Sequence, residues 1–174
     1  MPDVISSGVA FFLAWLFGLA AVHKLRDRQF YAALIGRYLP AGLARPSMVL
    51  VVALLEGGTA LALLPVVTRG IALALAMLLL LAYAGLMFLQ WVRGKADMRC
   101  GCAGPASELT VSPALVARNV TCACLALAAV FPVATIAPGW LGAALSLMIA
   151  AFLAVGYLCV EQLIGNAQRM TEAR

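Results

Sequence analysis

Five cysteines and one deeply placed glutamate are the residues of this chain whose types and spacing could do chemistry. Cys100 and Cys102 sit in the stretch Arg99-Cys100-Gly101-Cys102-Ala103-Gly104-Pro105, whose charge, glycines and proline mark a loop. Two residues of loop span at most about 7 Å, so the pair can be brought into disulfide range. Gly101 can take the φ values that so tight a ring demands. Arg99 and a following helix N-terminus favour the thiolate, the species that disulfide exchange and soft-metal binding both need.

Cys122 and Cys124 repeat the Cys-x-Cys spacing but in an apolar, helical stretch. Residues two apart on a helix point about 200° away from each other, so these two cannot readily bond to one another. They stand as candidate resolving thiols for exchange begun in the loop, at roughly 6 and 9 Å beyond Arg118 along the helix. The plain alternative for both, and the preferred one for Cys159, is a small hydrophobe. With one histidine and no four-ligand zinc spacing, redox exchange leads metal binding, and no metal site is assigned. A soft-metal membrane carrier and a structural scaffold stay open as alternatives.

Glu56 lies near the middle of the apolar stretch between Pro46 and Pro65. An acidic residue at that depth costs up to about 3.5 kcal/mol on insertion scales. It must therefore be protonated, hydrogen-bonded or facing a polar cavity. Gly57-Gly58-Thr59 beside it lets another helix approach closely, and Tyr83, at similar depth in the next stretch, is a candidate partner. An inter-helical strut and a proton or quinone role are the two readings of Glu56. His23 ends the first apolar stretch; it reads as a headgroup anchor or as a proton-handling group near the thiols.

The elements that must position these residues are membrane helices. Apolar residues make up 65% of the 174 and charged residues 11%, with mean hydropathy +1.04. Soluble domains carry about 45–50% apolar and about 25% charged residues. Five apolar stretches, approximately 4–22, 47–65, 70–91, 114–132 and 138–160, predict an all-α bundle of about five spans, with four the lower count. They leave no room for a second folded domain, so residues 1–174 read as one integral membrane domain. The first stretch has Asp3 before it and its basic residues behind it, which is not a cleaved signal peptide. Phe30, Leu34 and Tyr38 recur at helical spacing, with Tyr31 and Ile35 beside them and Arg28 and Arg37 flanking, predicting a short amphipathic helix in the headgroup region or packed on the bundle.

The net charge of +5 is a topology signal rather than a nucleic-acid footprint. Ten of the twelve basic residues fall on one side of five spans; Arg69 lies opposite and Arg118 inside the fourth. Positive-inside reasoning places the N-terminus outside and the C-terminus in the cytoplasm of a bacterial inner membrane.

His23-Lys24-Leu25-Arg26-Asp27, Phe30, Tyr38-Leu39-Pro40, Glu56-Gly57-Gly58, Cys100-Gly101-Cys102-x-Gly104 and Arg118-Asn119 together resemble the methylamine-utilisation membrane protein family MauE, a relative of DoxX-type membrane proteins. The likeness runs over about residues 5 to 130, and the Cys-Gly-Cys-x-Gly element is its most specific part. Ala103 stands where the family usually carries a bulky aromatic. The resemblance implies a maturation factor working with a thioredoxin-like periplasmic partner, MauD-like, on the disulfide-rich small subunit of methylamine dehydrogenase or another such substrate. That would make the chain a thiol–disulfide oxidoreductase component rather than a stand-alone enzyme. Charge bias puts the Cys-Gly-Cys loop in the cytoplasm while the implied substrate folds outside. Electrons passed across the membrane, for which a quinone at the depth of Glu56 is the candidate acceptor, would reconcile the two.

Overall fold

The computed structural model describes residues 2–38, 45–94, 98–101, 104, 109–131 and 139–172. These form six helices: α1 (Pro2–Arg26), α2 (Arg28–Tyr38), α3 (Pro46–Ala62), α4 (Val66–Val92), α5 (Pro113–Val130) and α6 (Trp140–Glu172). Among them α1, α4, α5 and α6 are long and apolar enough to cross a membrane, as expected of a multi-pass membrane protein. The expected second span is the short one. At 17 residues, α3 is about 25 Å long, the lower limit for crossing the hydrocarbon core. It stops at Ala62 because Pro65 disfavours helical geometry in the residue before it and opens α4 instead, with extended φ −72° and ψ 139°.

Small residues set the helix registers. Gly57 of α3 faces Ala21 of α1, so that an added Cβ would lie 3.7 Å from the alanine methyl, and Gly18 faces Ala60 in the same way. Gly58, by contrast, faces open space. The α1–α3 seam is therefore antiparallel and close, as small residues permit in a bilayer. At Gly8 a Cβ would meet Ile149 Cγ2 at 2.6 Å, which fixes the approach of α6 to α1. Ala72 and Ala76 of α4 and Ala123, Ala126 and Ala129 of α5 join Phe12, Leu13 and Phe17 in the main core.

The polar contacts sort into two ends. Ser6 Oγ donates to the Ala129 carbonyl and Ser146 Oγ to the Val4 carbonyl, gathering the starts of α1 and α6 and the end of α5. Arg69 lies at that end as well, fully buried. Its guanidinium donates to the carbonyls of Leu63 (3.3 Å) and Leu64 (3.0 Å) and to Ser7 Oγ (2.8 Å). These carbonyls belong to the C-terminus of α3, which has no further turn to satisfy them. The other end carries α2, the Cys100 loop and the long C-terminal half of α6.

The predicted short helix between the first two apolar stretches is α2, and its apolar side is spent on the bundle: Tyr31 is buried and the helix packs on α3. Helix α6 continues well beyond the expected end near residue 160. Gln168 clamps that extension to the loop, accepting from the Thr110 N–H (3.1 Å) and donating to the Thr110 carbonyl (2.9 Å).

Candidate functional site

The loop that carries Cys100 is pinned from several directions. An isolated antiparallel bridge joins Arg99 and Thr110; the Cys100 N–H donates to the Leu109 carbonyl and the Val111 N–H to the Met98 carbonyl, each at 2.8 Å. From α2, Tyr31 Oη donates to the Gly101 carbonyl (3.0 Å) and Tyr38 Oη to the Arg99 carbonyl (3.1 Å). Gly101 has φ +71°, a left-handed conformation that a side chain resists. A Cβ there would also run into Leu34 Cδ2. Gly104, at φ +92°, lies over the His23 ring, where a Cβ would be 3.0 Å from Nδ1. Both glycines are thus required by backbone geometry as well as by close packing.

Beneath the loop is a cavity of about 180 Å³. Its wall includes Cys100, Lys24, Glu56, Tyr83 and Arg118 among mostly apolar side chains. Glu56 is 1% exposed, yet it is paired: Lys24 Nζ lies 2.7 Å from Oε1, and Tyr83 Oη donates to the same oxygen at 2.5 Å. Lys24 also lies over the rings of Tyr31 (5.3 Å) and Tyr83 (5.7 Å). Glu56 Oε2 has no hydrogen-bond partner among the described residues. Arg118 reaches from α5 to Glu161 of α6 (3.2 Å) and stacks 4.7 Å from the Tyr157 ring. A buried carboxylate held by one cation and one phenol can exchange a proton inside a low-dielectric site. Cys100, 8% exposed with Sγ 3.4 Å from Met87 Sδ, shares that site.

A family model described as Methylamine utilisation protein MauE matches residues 2–132. The chain belongs to the MauE family. A Paracoccus denitrificans protein named methylamine utilization protein MauE is 34% identical over 118 residues, 67% of this chain and 63% of that protein. The chain thus covers less than two thirds of the length of this MauE relative. No solved structure matches the chain. The matched residues run from α1 through α5, so the MauE likeness includes Lys24, Glu56, Tyr83, Cys100 and Arg118 but stops before Glu161 and Tyr157 on α6.

The residues singled out in the sequence meet different fates in this MauE chain. Cys100, Glu56 and Tyr83 converge on the cavity, and His23 lies just under the loop with Nδ1 unpartnered among the described residues. Cys102 lies outside the described residues. Cys122 is buried in the main core and Cys124 is exposed, the opposed directions that helical geometry demands. Both sit deeper than the loop: Cys122 is about 14 Å along α5 from Pro113. Cys159 is exposed on α6. No group of three metal-ligating side chains occurs among the described residues.

Sequence reasoning overlooked three contributors. Lys24 reads as a headgroup charge until the register of α1 on α3 is known. Tyr31 reads as one aromatic of an amphipathic stretch, although its hydroxyl holds the loop. Glu161 lies one residue past the last apolar stretch, where the hydropathy signal for a helix ends.

Proposed function

We propose that this chain is a thiol-redox accessory in the maturation of a disulfide-rich extracytoplasmic protein, exchanging disulfides with a thioredoxin-like partner through Cys100 and Cys102. The observation that carries the reading is the placement of Cys100: a pinned cysteine on the wall of the cavity that holds the Lys24–Glu56–Tyr83 cluster. Family membership supports a setting in methylamine utilisation, with the small subunit of methylamine dehydrogenase as the substrate type. In the exchange step a thiolate of the reduced partner attacks a sulfur of the Cys100–Cys102 disulfide. One S–S bond forms as a mixed disulfide, the loop's bond breaks, and its displaced sulfur leaves as thiolate. The partner's second thiolate then attacks the mixed disulfide, leaving the partner oxidised and the loop a dithiol. The exchange is reversible, so a single remaining loop thiolate can attack the oxidised partner and be held there. When only one loop cysteine remains, Cys122, buried in the core one turn beyond Arg118, is the resolving candidate but a slow one, so the complex lasts long enough to be trapped; Cys124 faces away. Charge bias favours an N-terminus outside and a C-terminus, together with the loop, in the cytoplasm, whereas exchange with an extracytoplasmic partner needs the loop on the outer face; the maleimide test below separates the two.

The test is a non-reducing gel of membranes from cells carrying Cys100→Ser, Cys102→Ser or both. One single variant accumulates a reducible complex with the partner and the double variant does not. An impermeant maleimide applied to intact cells and to lysates reports the side of the loop in the same samples. No trapped complex from either single variant, with maturation intact in the double variant, refutes transfer through these thiols.

A further inference from the structure

The geometry points to a binding site for the ring of a lipid-soluble quinone in the cavity beneath the Cys100 loop, entered from the bilayer between α3 and α4. The inference deepens the redox reading above and rests on it for the electron donor. Three observations carry it.

The first is access. Helix α3 packs on α1 far more than on α4, and the side chains along the gap, among them Val52 of α3 and Leu86 of α4, are only half-buried. A ligand that reaches this cavity laterally has to be soluble in lipid.

The second is the pattern of polar groups. The wall is mostly apolar, with a few convergent polar atoms, which is what a small planar ligand needs for burial and orientation. Lys24 Nζ spends one N–H on Glu56 and retains others for a ligand carbonyl. Glu56 Oε2, buried and without a partner among the described residues, can accept from a ligand hydroxyl. A quinone presents the carbonyl, and its reduced form presents the hydroxyl. An acyl chain presents neither and would leave the buried Oε2 unsatisfied.

The third is the neighbouring sulfur. Oxidising the Cys100–Cys102 dithiol breaks two S–H bonds and forms one S–S bond, releasing two electrons and two protons. A quinone takes up two electrons and two protons and becomes the hydroquinone, so the exchange balances without any other reactant. Cys100 lines the same cavity as Glu56 and Lys24, so donor and acceptor share one enclosure. The Glu56 carboxylate is the group placed to receive a hydroquinone proton and, in the reverse sense, to supply one.

The test uses the full chain in detergent with a photoreactive azido-ubiquinone bearing a short side chain. The label is expected in residues 48–56 or 80–87 and is displaced by excess ubiquinone-1. Val52→Trp and Leu86→Trp, two independent ways to fill the cavity, each reduce labelling at least tenfold; one folded variant of the pair suffices. Reduced protein incubated anaerobically with ubiquinone-1 loses two of its five thiols. Labelling that ubiquinone-1 does not displace, labelling confined to the outer face of α6, or full labelling of a folded tryptophan variant overturns the site. The partner trap needs no quinone. A trapped complex with an unlabelled cavity therefore sinks this proposal alone, and a labelled cavity with no trap sinks the exchange reading instead.

Discussion

At the turn between α3 and α4, a buried arginine directs every contact it makes to carbonyls, a hydroxyl and the ring of Phe11, 5.7 Å away. At the opposite end of the bundle, Lys24 meets a carboxylate at the edge of a cavity, and one oxygen of that carboxylate has no partner among the described residues. Arg69 completes its neighbourhood. It closes a helix end whose carbonyls would otherwise be orphaned. The Lys24–Glu56 pair also neutralises a buried charge, but it does so at the edge of empty volume, with hydrogen-bonding capacity left over. Buried polar groups that are fully satisfied specify a fold; those left partly satisfied around a cavity are where a ligand or a proton can act. The same pairing of cation and acceptor thus closes a helix end on one side of the bundle and lines a cavity on the other.

The strongest way to break this comparison is at Arg69. Arg69→Met keeps the length and apolar stem while removing three charge-assisted hydrogen bonds. About 2–4 kcal/mol of stability is expected to go, since two carbonyls and a buried serine lose their donor. The thermal unfolding midpoint in detergent and the yield in membranes should both fall. In the protein that does fold, labelling of the cavity and trapping of the partner should be unchanged, because Arg69 acts only on the far turn. Stability like the wild type, or a selective loss of trapping, would dissolve the distinction between the ends.

A middle-sized effect is expected at Gly101. Alanine there must hold φ near +71°, at about 1–2 kcal/mol, and its methyl displaces Leu34. The bundle tolerates this because the strain falls on the loop and α2. The loop should lift from Tyr31, and Cys100 in the reduced protein should be alkylated several-fold faster than in the wild type. Combining Gly101→Ala with Leu34→Ala removes the clash but leaves the φ strain, so the rescue should be partial. Full rescue would mean that the clash alone matters; an unchanged alkylation rate would mean that the loop is not held as described.

The parts of the site legible in the sequence were those fixed by local rules. Helical spacing foretold that Cys122 and Cys124 diverge, and apolar depth paired Glu56 with Tyr83. A glycine between two cysteines announced the unusual backbone at Gly101. What stayed hidden depends on register between helices. Lys24 reaches Glu56 because Ala21 packs on Gly57, and no single helix records that match. Arg69 was merely a basic residue on the minority side until the chain reversed tightly around Leu63 and Leu64. Hydropathy also misjudged two lengths: α3 is cut short by the proline after it, while α6 outlasts its apolar stretch because Arg118 and Thr110 tether the polar turns.

The smallest change in stability, and the finest test of the comparison, is expected from Glu56→Gln. The amide oxygen still accepts from Tyr83, so the link between α3 and α4 survives. Lys24 loses its counter-charge, a change that would cost about 3–5 kcal/mol if the ammonium were sealed in. It is 11% exposed on a long apolar stem, however, and can swing its head toward water, which holds the expected loss near 1 kcal/mol. An amide cannot take up or release a proton as a carboxyl group does. If Glu56 is only a strut, the variant should match the wild type in every redox measurement. If it serves the cavity, the azido-ubiquinone should still label the protein while loss of the two thiols slows at least tenfold. Normal protein levels with unslowed thiol loss would return Glu56 to the company of Arg69, as architecture. Slowed loss with intact labelling would locate the proton transfer at this carboxylate.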